Sequence, residues 1–124
     1  MSTSDAIRVA RPTDYAVEEM PWGRLVWQIA GDLGNSETMT VGRCILEAGQ
    51  ANSRHVHPDC DEVLEVLTGS IVHTWDDQEV AMERGDTISI PAGVKHNARN
   101  VGSETAELLI VFSTAHRTAI AAEN

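Results

Sequence analysis

From residue 22 onward the chain alternates between short apolar runs and turn residues. The runs cover 25–29, 39–46, 63–67, 71–75, 80–82, 87–90 and 107–112. Between them lie Gly31-Asp32-Leu33-Gly34-Asn35, Ala48-Gly49, Thr68-Gly69-Ser70, Asp76-Asp77, Arg84-Gly85-Asp86 and Pro91-Ala92-Gly93. Runs this short, each stopped by a turn, predict an all-β sandwich or barrel. Residues 1–20 are polar and weakly patterned, with Pro12 and Pro21 as breakers, and read as an N-terminal arm. Only 114–122 has a composition that supports a helix, and a short one. The expected organisation is an arm over 1–20, one barrel over 21–114 and a short tail over 115–124, without internal repeats.

Composition narrows the partners. At 124 residues the chain is long enough for one hydrophobic core without staples. Nineteen acidic against nine basic residues give a formal charge of −10. Nucleic-acid binding is not expected, because neutralising phosphates requires clustered Lys and Arg. Attraction to an anionic membrane is excluded on the same ground. A solvated acidic surface is the simplest reading, and it does not bar an anionic ligand where a bound cation dominates the local field. The first residues have no basic start or apolar run of signal-peptide length, and no segment reaches the apolar length of a membrane helix. A cytoplasmic protein is expected, with Cys44 and Cys60 reduced.

Chemistry concentrates in two stretches. His55 and His57 lie two apart, so on a strand both imidazoles point to one face. Pro58-Asp59-Cys60-Asp61 then reverses the chain, and Glu62 opens the next strand with its carboxylate able to return to the same side. His96 follows Pro91-Ala92-Gly93 on a distant strand. A lone histidine is more often a surface or core residue than a ligand. Three imidazoles and a carboxylate at this joint spacing point to one divalent transition metal: Fe, Mn, Ni, Zn or Co, rather than Ca or Mg. Four protein ligands leave positions open for water, substrate or dioxygen, as reactive sites do. Glu65 is a weaker candidate than Glu62, since an odd offset turns it to the opposite face. Cys60 is an alternative thiolate ligand, disfavoured by its place in the turn.

The spacing resembles the paired motifs of the cupin superfamily. Gly-(x5)-His-x-His-(x4)-Glu-(x6)-Gly is met by Gly49, His55, His57, Glu62 and Gly69. Gly-(x5)-Pro-x-Gly-(x2)-His-(x3)-Asn is met by Gly85, Pro91, Gly93, His96 and Asn100. The resemblance extends over about residues 22–113. It implies a cupin-type jelly-roll β-barrel with metal ligands at His55, His57, Glu62 and His96. It also implies a single-domain cupin (a monocupin), a group that commonly forms homodimers through its N-terminal strands. Cupins include dioxygenases, isomerases, epimerases, lyases, decarboxylases and sensory domains, so fold alone does not settle activity.

Several other residues bear on a ligand cavity. If a two-residue hairpin sits at Gly69, then Ile71, His73 and Trp75 share a face with Glu62, Leu64 and Val66. On that reading Trp75, Leu64 and Val66 line a substrate pocket. His73 is then a partner behind the metal ligands or a general acid/base. The plainer alternative makes Trp75 core filler and His73 a satisfied histidine. Arg43 or Cys44 faces inward on the strand entering the first motif, and an inward Arg43 would clamp a carboxylate or phosphate. Asn97 and Arg99 have opposite parity to His96 and are expected to face away. Trp22 and Trp27 read as core or dimer-contact residues.

The function expected is a small-molecule metalloenzyme, with oxygenase-type (dioxygenase) or Lewis-acid chemistry on an oxygen-chelating substrate. One alternative is a sugar or sugar-acid isomerase or lyase. Another is a non-catalytic cupin that binds or senses a metabolite, since no nucleophile motif or phosphate loop is present.

Overall fold

Side chains alternate inward and outward along the strands of this protein, and that period-two pattern builds a closed interior. The computed structural model describes residues 7–122. Within them run β1 (Ala16–Met20), β2 (Gly23–Ile29), β3 (Thr40–Leu46), β4 (His55–Val56), β5 (Glu62–Thr68) and β6 (Ser70–Trp75). They are followed by β7 (Gln78–Glu83), β8 (Thr87–Ile90), β9 (His96–Asn100), β10 (Ala106–Phe112) and β11 (Ile120–Ala121). One sheet has the order β1-β2-β3-β10-β5-β8 and the other β11-β4-β9-β6-β7. From β3 to β6 and from β7 to β11, successive strands switch between the two sheets. This antiparallel crossing pattern is a jelly-roll barrel, the fold expected from the sequence.

Alternation is cleanest in β10, where Ala106, Leu108, Ile110 and Phe112 are buried and the residues between them are half-exposed. Leu46, Val66, Ile71 and Leu108 are completely buried at the centre of the cluster. Each such side chain contributes about 1.5–3 kcal/mol of transfer free energy. Asn100, the last residue of the second motif, is buried yet fully employed. Its amide donates to the carbonyls of Leu46 and Glu104, both at 2.8 Å, and its Oδ1 accepts from the Gly102 N–H. It ties three chain segments together at the end of the barrel away from the histidines.

Three local expectations are corrected. Strands β5 and β6 do not form a hairpin, because they belong to different sheets and meet at a corner. Gly69 makes that corner with φ of 93°, and a Cβ there would stand 2.8 Å from Cα and Cβ of Ala106. His73 still faces inward, because both sheets enclose the same interior. The expected arm is also structured in part: residues 16–20 pair with β2 from Ala16↔Trp27 to Met20↔Gly23 and form a sheet edge. Residues 1–6 of that arm and 123–124 of the tail lie outside the described residues.

The third correction concerns 114–122, which holds no helix. Its backbone groups are taken up by the barrel instead. The Gly31 N–H donates to the Ala115 carbonyl at 2.8 Å, and the Thr40 hydroxyl donates to the Thr114 carbonyl at 2.7 Å. The Ala122 N–H donates to Arg54 at 3.0 Å, and β11 pairs with β4. These cross-chain bonds replace the ones an isolated helical turn would have made.

Candidate metal centre

The four residues singled out by spacing converge. His55, His57, Glu62 and His96 each offer a ligand atom, and these atoms lie within 4.8 Å of one another. Glu62 opens β5 with the same inward parity as Leu64 and Val66, while His96 opens β9 in phase with Ala98 and Asn100. His55 is the cross-strand partner of His96, with ring centroids 4.5 Å apart. Nε2 of His57 and Nε2 of His96 each stand 3.3 Å from Oε1 of Glu62. All three atoms are buried and none has a hydrogen-bond partner. Buried polar atoms are almost always satisfied. Three orphaned donor atoms aimed at one point, with the His55 imidazole beside them, fit a transition-metal ion of the kind the sequence implied.

The opposite ring nitrogens are all occupied, and for His55 and His57 the carbonyl partners set the tautomer. Nδ1 of His55 donates to the Ser53 carbonyl at 2.7 Å, and Nδ1 of His57 donates to the Thr118 carbonyl at 2.7 Å. Nδ1 of His96 lies 3.0 Å from Nε2 of His73. A proton held on Nδ1 leaves the Nε2 lone pair of each ring available to a metal at the centre. Electrostatics agree. Burial pushes the His55 imidazole down to about 4, against a smaller opposing pull from its bond to Ser53. In the metal-free protein burial alone would raise Glu62, but His57 and His96, facing it there as N–H donors, outweigh burial and hold the carboxyl at about 2. Neutral imidazole and ionised carboxylate are the forms a metal takes.

Around the centre lies a cavity of about 270 Å³. Leu64 and His73 line it, whereas Val66 and Trp75 do not. Val66 lies deeper in β5, completely buried within the hydrophobic cluster. Trp75 ends β6, where the chain turns through Asp76 and Asp77, and sits half-buried outside the cavity walls. His73 is buried, its Nε2 spent on His96 and its Nδ1 enclosed without a partner. Burial, then the neighbouring His96, lower it to about 4.

The remaining candidates sort by strand parity. Cys44 faces the cavity but stands outside the ligand cluster, and burial followed by Glu62 raises its thiol to about 12. Arg43 therefore points outward, where it pairs with Glu107, and it clamps nothing inside. Cys60 is buried but stands outside the ligand cluster. Arg99 faces out and pairs with Glu79, while Asn97 is bonded to Thr74 and to the Asn52 carbonyl. Trp22 belongs to the hydrophobic core cluster and Trp27 packs against it, as the core reading had it, and both also line the cavity.

Several cavity residues escaped the sequence reading, Arg117 among them. Arg117, from the tail, lines the cavity with its guanidinium over the Trp27 ring, 4.1 Å from the centroid, and 5.5 Å from that of Phe112. Burial lowers its pKa, with Glu18 the strongest opposing charge. No pattern in the tail marks this arginine, because only the path of the chain brings it to the barrel mouth.

Comparison with known proteins agrees with this architecture. An uncharacterized protein of Streptomyces coelicolor is 36% identical over 75 residues, covering 60% of this chain and 70% of that one. The tetracenomycin polyketide synthase protein TcmJ of Streptomyces glaucescens is 29% identical over 73 residues, and the match spans 59% of this chain and 49% of TcmJ. Bacillus subtilis oxalate decarboxylase superposes on 90% of this chain and 31% of its own, with a TM-score of 0.81 at 21% identity. A cupin sugar phosphate isomerase from Silicibacter pomeroyi covers 81% of this chain and 66% of its own, with a TM-score of 0.67 at 29% identity. The model of the cupin domain matches residues 42–112, the stretch carrying every ligand described above. This chain belongs to the cupin family.

Proposed function

We propose that this cupin is a metal-dependent enzyme acting on a small organic molecule that chelates through oxygen. The observation that carries the reading is the set of three buried, unpartnered donor atoms on His57, Glu62 and His96. A divalent transition metal held by His55, His57, Glu62 and His96 supplies Lewis acidity toward a chelating oxygen or, if redox-active, dioxygen chemistry. The rest falls to the chain itself. Leu25, Leu64, Leu108 and Phe112 form apolar walls that exclude water and seat an apolar body. His73 holds the ring of His96 in place through the 3.0 Å contact.

The same geometry favours oxygenation or simple polarisation over isomerisation. Moving a proton along a carbon chain needs a positioned base. The one free ring nitrogen of His73 is enclosed, and Glu18 at the rim already accepts from Trp27. A polyol would also need more polar partners than these walls offer. The relatives named as polyketide synthase proteins fit an apolar-bodied substrate; the isomerase neighbour supports the second reading, sugar-phosphate chemistry. Pairing of two chains across the open edge of β1 belongs to the same proposal, and a monomer in size-exclusion light scattering would remove it.

Metal analysis after anaerobic purification is the first test, followed by dioxygen uptake with diketones, flavonols and catechols. A sugar-phosphate and sugar-acid panel followed by NMR covers the second reading. Stoichiometric metal that is lost in His55→Ala and His96→Ala, with turnover on the first panel, is the expected result. Absence of metal from the wild type overturns the proposal, and bound metal without turnover on either panel reassigns the protein as a binder.

A further inference from the structure

The cavity holds a cation that the metal site does not use. Among the described residues, Arg117 forms no hydrogen bond and no ion pair, although it is half-buried in a chain of charge −10. Glu18, the other charged residue at that end, accepts from Nε1 of Trp27 at 3.3 Å. Trp27 and Phe112 take up a face of the guanidinium, which leaves its in-plane N–H donors unassigned. A half-buried guanidinium with spare coplanar donors is a fork for a carboxylate. Phe112 links it to the metal-ligand cluster, since the same ring lies 5.5 Å from Cζ of Arg117 and 5.0 Å from the His57 ring centroid. The same cavity is lined by the apolar side chains of Leu25, Leu64, Leu108 and Ile110.

We propose that Arg117 makes this cavity a binding site for an amphipathic organic carboxylate, with the carboxylate on the guanidinium and the apolar body against the leucine walls. This names the substrate class of the enzyme proposed above. It rests on the metal reading only for the far end of the ligand. A purely structural Arg117 would clip the tail to Trp27 and confer no preference for charge.

Octanoate and its neutral isostere octanamide separate these roles, with binding read from tryptophan fluorescence, since Trp22 and Trp27 line the cavity. The protein is used as purified, with metal content measured on the same samples. Octanoate is expected to bind at least about tenfold tighter than octanamide, as a charge-assisted pair would give. In Arg117→Met the two ligands become equivalent while octanamide affinity holds; Arg117→Lys keeps part of the preference. Equal binding of acid and amide by the wild type, binding of neither, or a preference that survives Arg117→Met overturns the inference. The wild-type comparison stands even if a variant fails to fold. A preference for octanoate in protein that holds no metal leaves this inference intact and removes the metal reading. Metal without the preference does the reverse.

Discussion

The carbonyl oxygen of Thr118 accepts a hydrogen bond from Nδ1 of His57 at 2.7 Å, joining the C-terminal tail to a candidate metal ligand 61 positions earlier. The bond fixes both the tautomer and the rotation of a buried ring. Without it the imidazole would be free to present either nitrogen to the centre. The tail is therefore part of the site, since it also brings Arg117, Ala119 and Ala121 to the cavity wall.

Ending the chain after His116 should separate metal affinity from folding. The buried cluster from Trp22 to Phe112 is untouched by the deletion, so the barrel should keep its circular dichroism. Metal affinity, measured by competition with a chelator, should fall about 10–100-fold, the usual effect of losing a partner behind a ligand. Undiminished affinity would show that His57 is oriented by its strand alone.

His73 offers two roles that give opposite readouts. As the partner of His96 Nδ1, its removal in His73→Ala should weaken metal binding by about tenfold or more. His73→Gln, whose carbonyl oxygen accepts the same hydrogen bond, should recover most of the loss. A general acid/base would instead lower turnover and leave metal affinity alone. Metal content and initial rates on the same preparations decide between them.

How far the sequence reached can be judged from these same residues. His55, His57, Glu62 and His96 were legible because period-two parity and turn placement are local, and ligand chemistry limits the residue types. The jelly-roll came from the paired motifs, and strand existence from the short runs. The β5–β6 junction misled because a turn glycine between two strands reads alike whether it closes a hairpin or turns a corner between sheets. Val66 and Trp75 were placed in the pocket by correct parity, but depth along the barrel has no sequence signature. The tail resisted for the deepest reason. Its extended path is dictated by Thr40, Gly31, Arg54 and His57, all distant in sequence, so tertiary hydrogen bonds overrode a weak helical preference.

Acid should destabilise the metal-free protein well before its carboxylates titrate. His55 and His73 are held down to about 4, against 6.5 for a free imidazole. The unfolded chain takes up these protons first, so the stability gained from keeping the rings neutral is complete above 6.5 and is lost as pH falls toward 4. The loss approaches about 3 kcal/mol per imidazole. Glu62, depressed from 4.5 to about 2, adds a further loss only as pH falls between those values. Thermal melts of chelator-treated protein should be flat above neutrality and fall steeply through the histidine window. A melting temperature constant across that window contradicts the neutral burial of both rings.

Glu62 is expected to set which metal the proposed site prefers. Three imidazoles alone suit Zn, Co and Ni, whereas an anionic oxygen ligand improves the site most for harder Mn and Fe(II). In Glu62→Gln the charge disappears while the side chain keeps its size and its place at the start of β5. Two further consequences follow. The Nε2 atoms of His57 and His96, each 3.3 Å from Oε1, would face an amide in place of a carboxylate, so the loss cannot be spread over a rearranged pair. The amide NH₂ can also turn toward them and hydrogen-bond an Nε2 lone pair that the metal needs. Affinity should therefore fall for every metal, and further for Mn and Fe(II) than for Zn, by about tenfold in the ratio. Competition titrations of Mn against Zn on wild type and Glu62→Gln give that ratio directly. If it is unchanged, the carboxylate lies outside the coordination sphere, and the three histidines alone hold the ion.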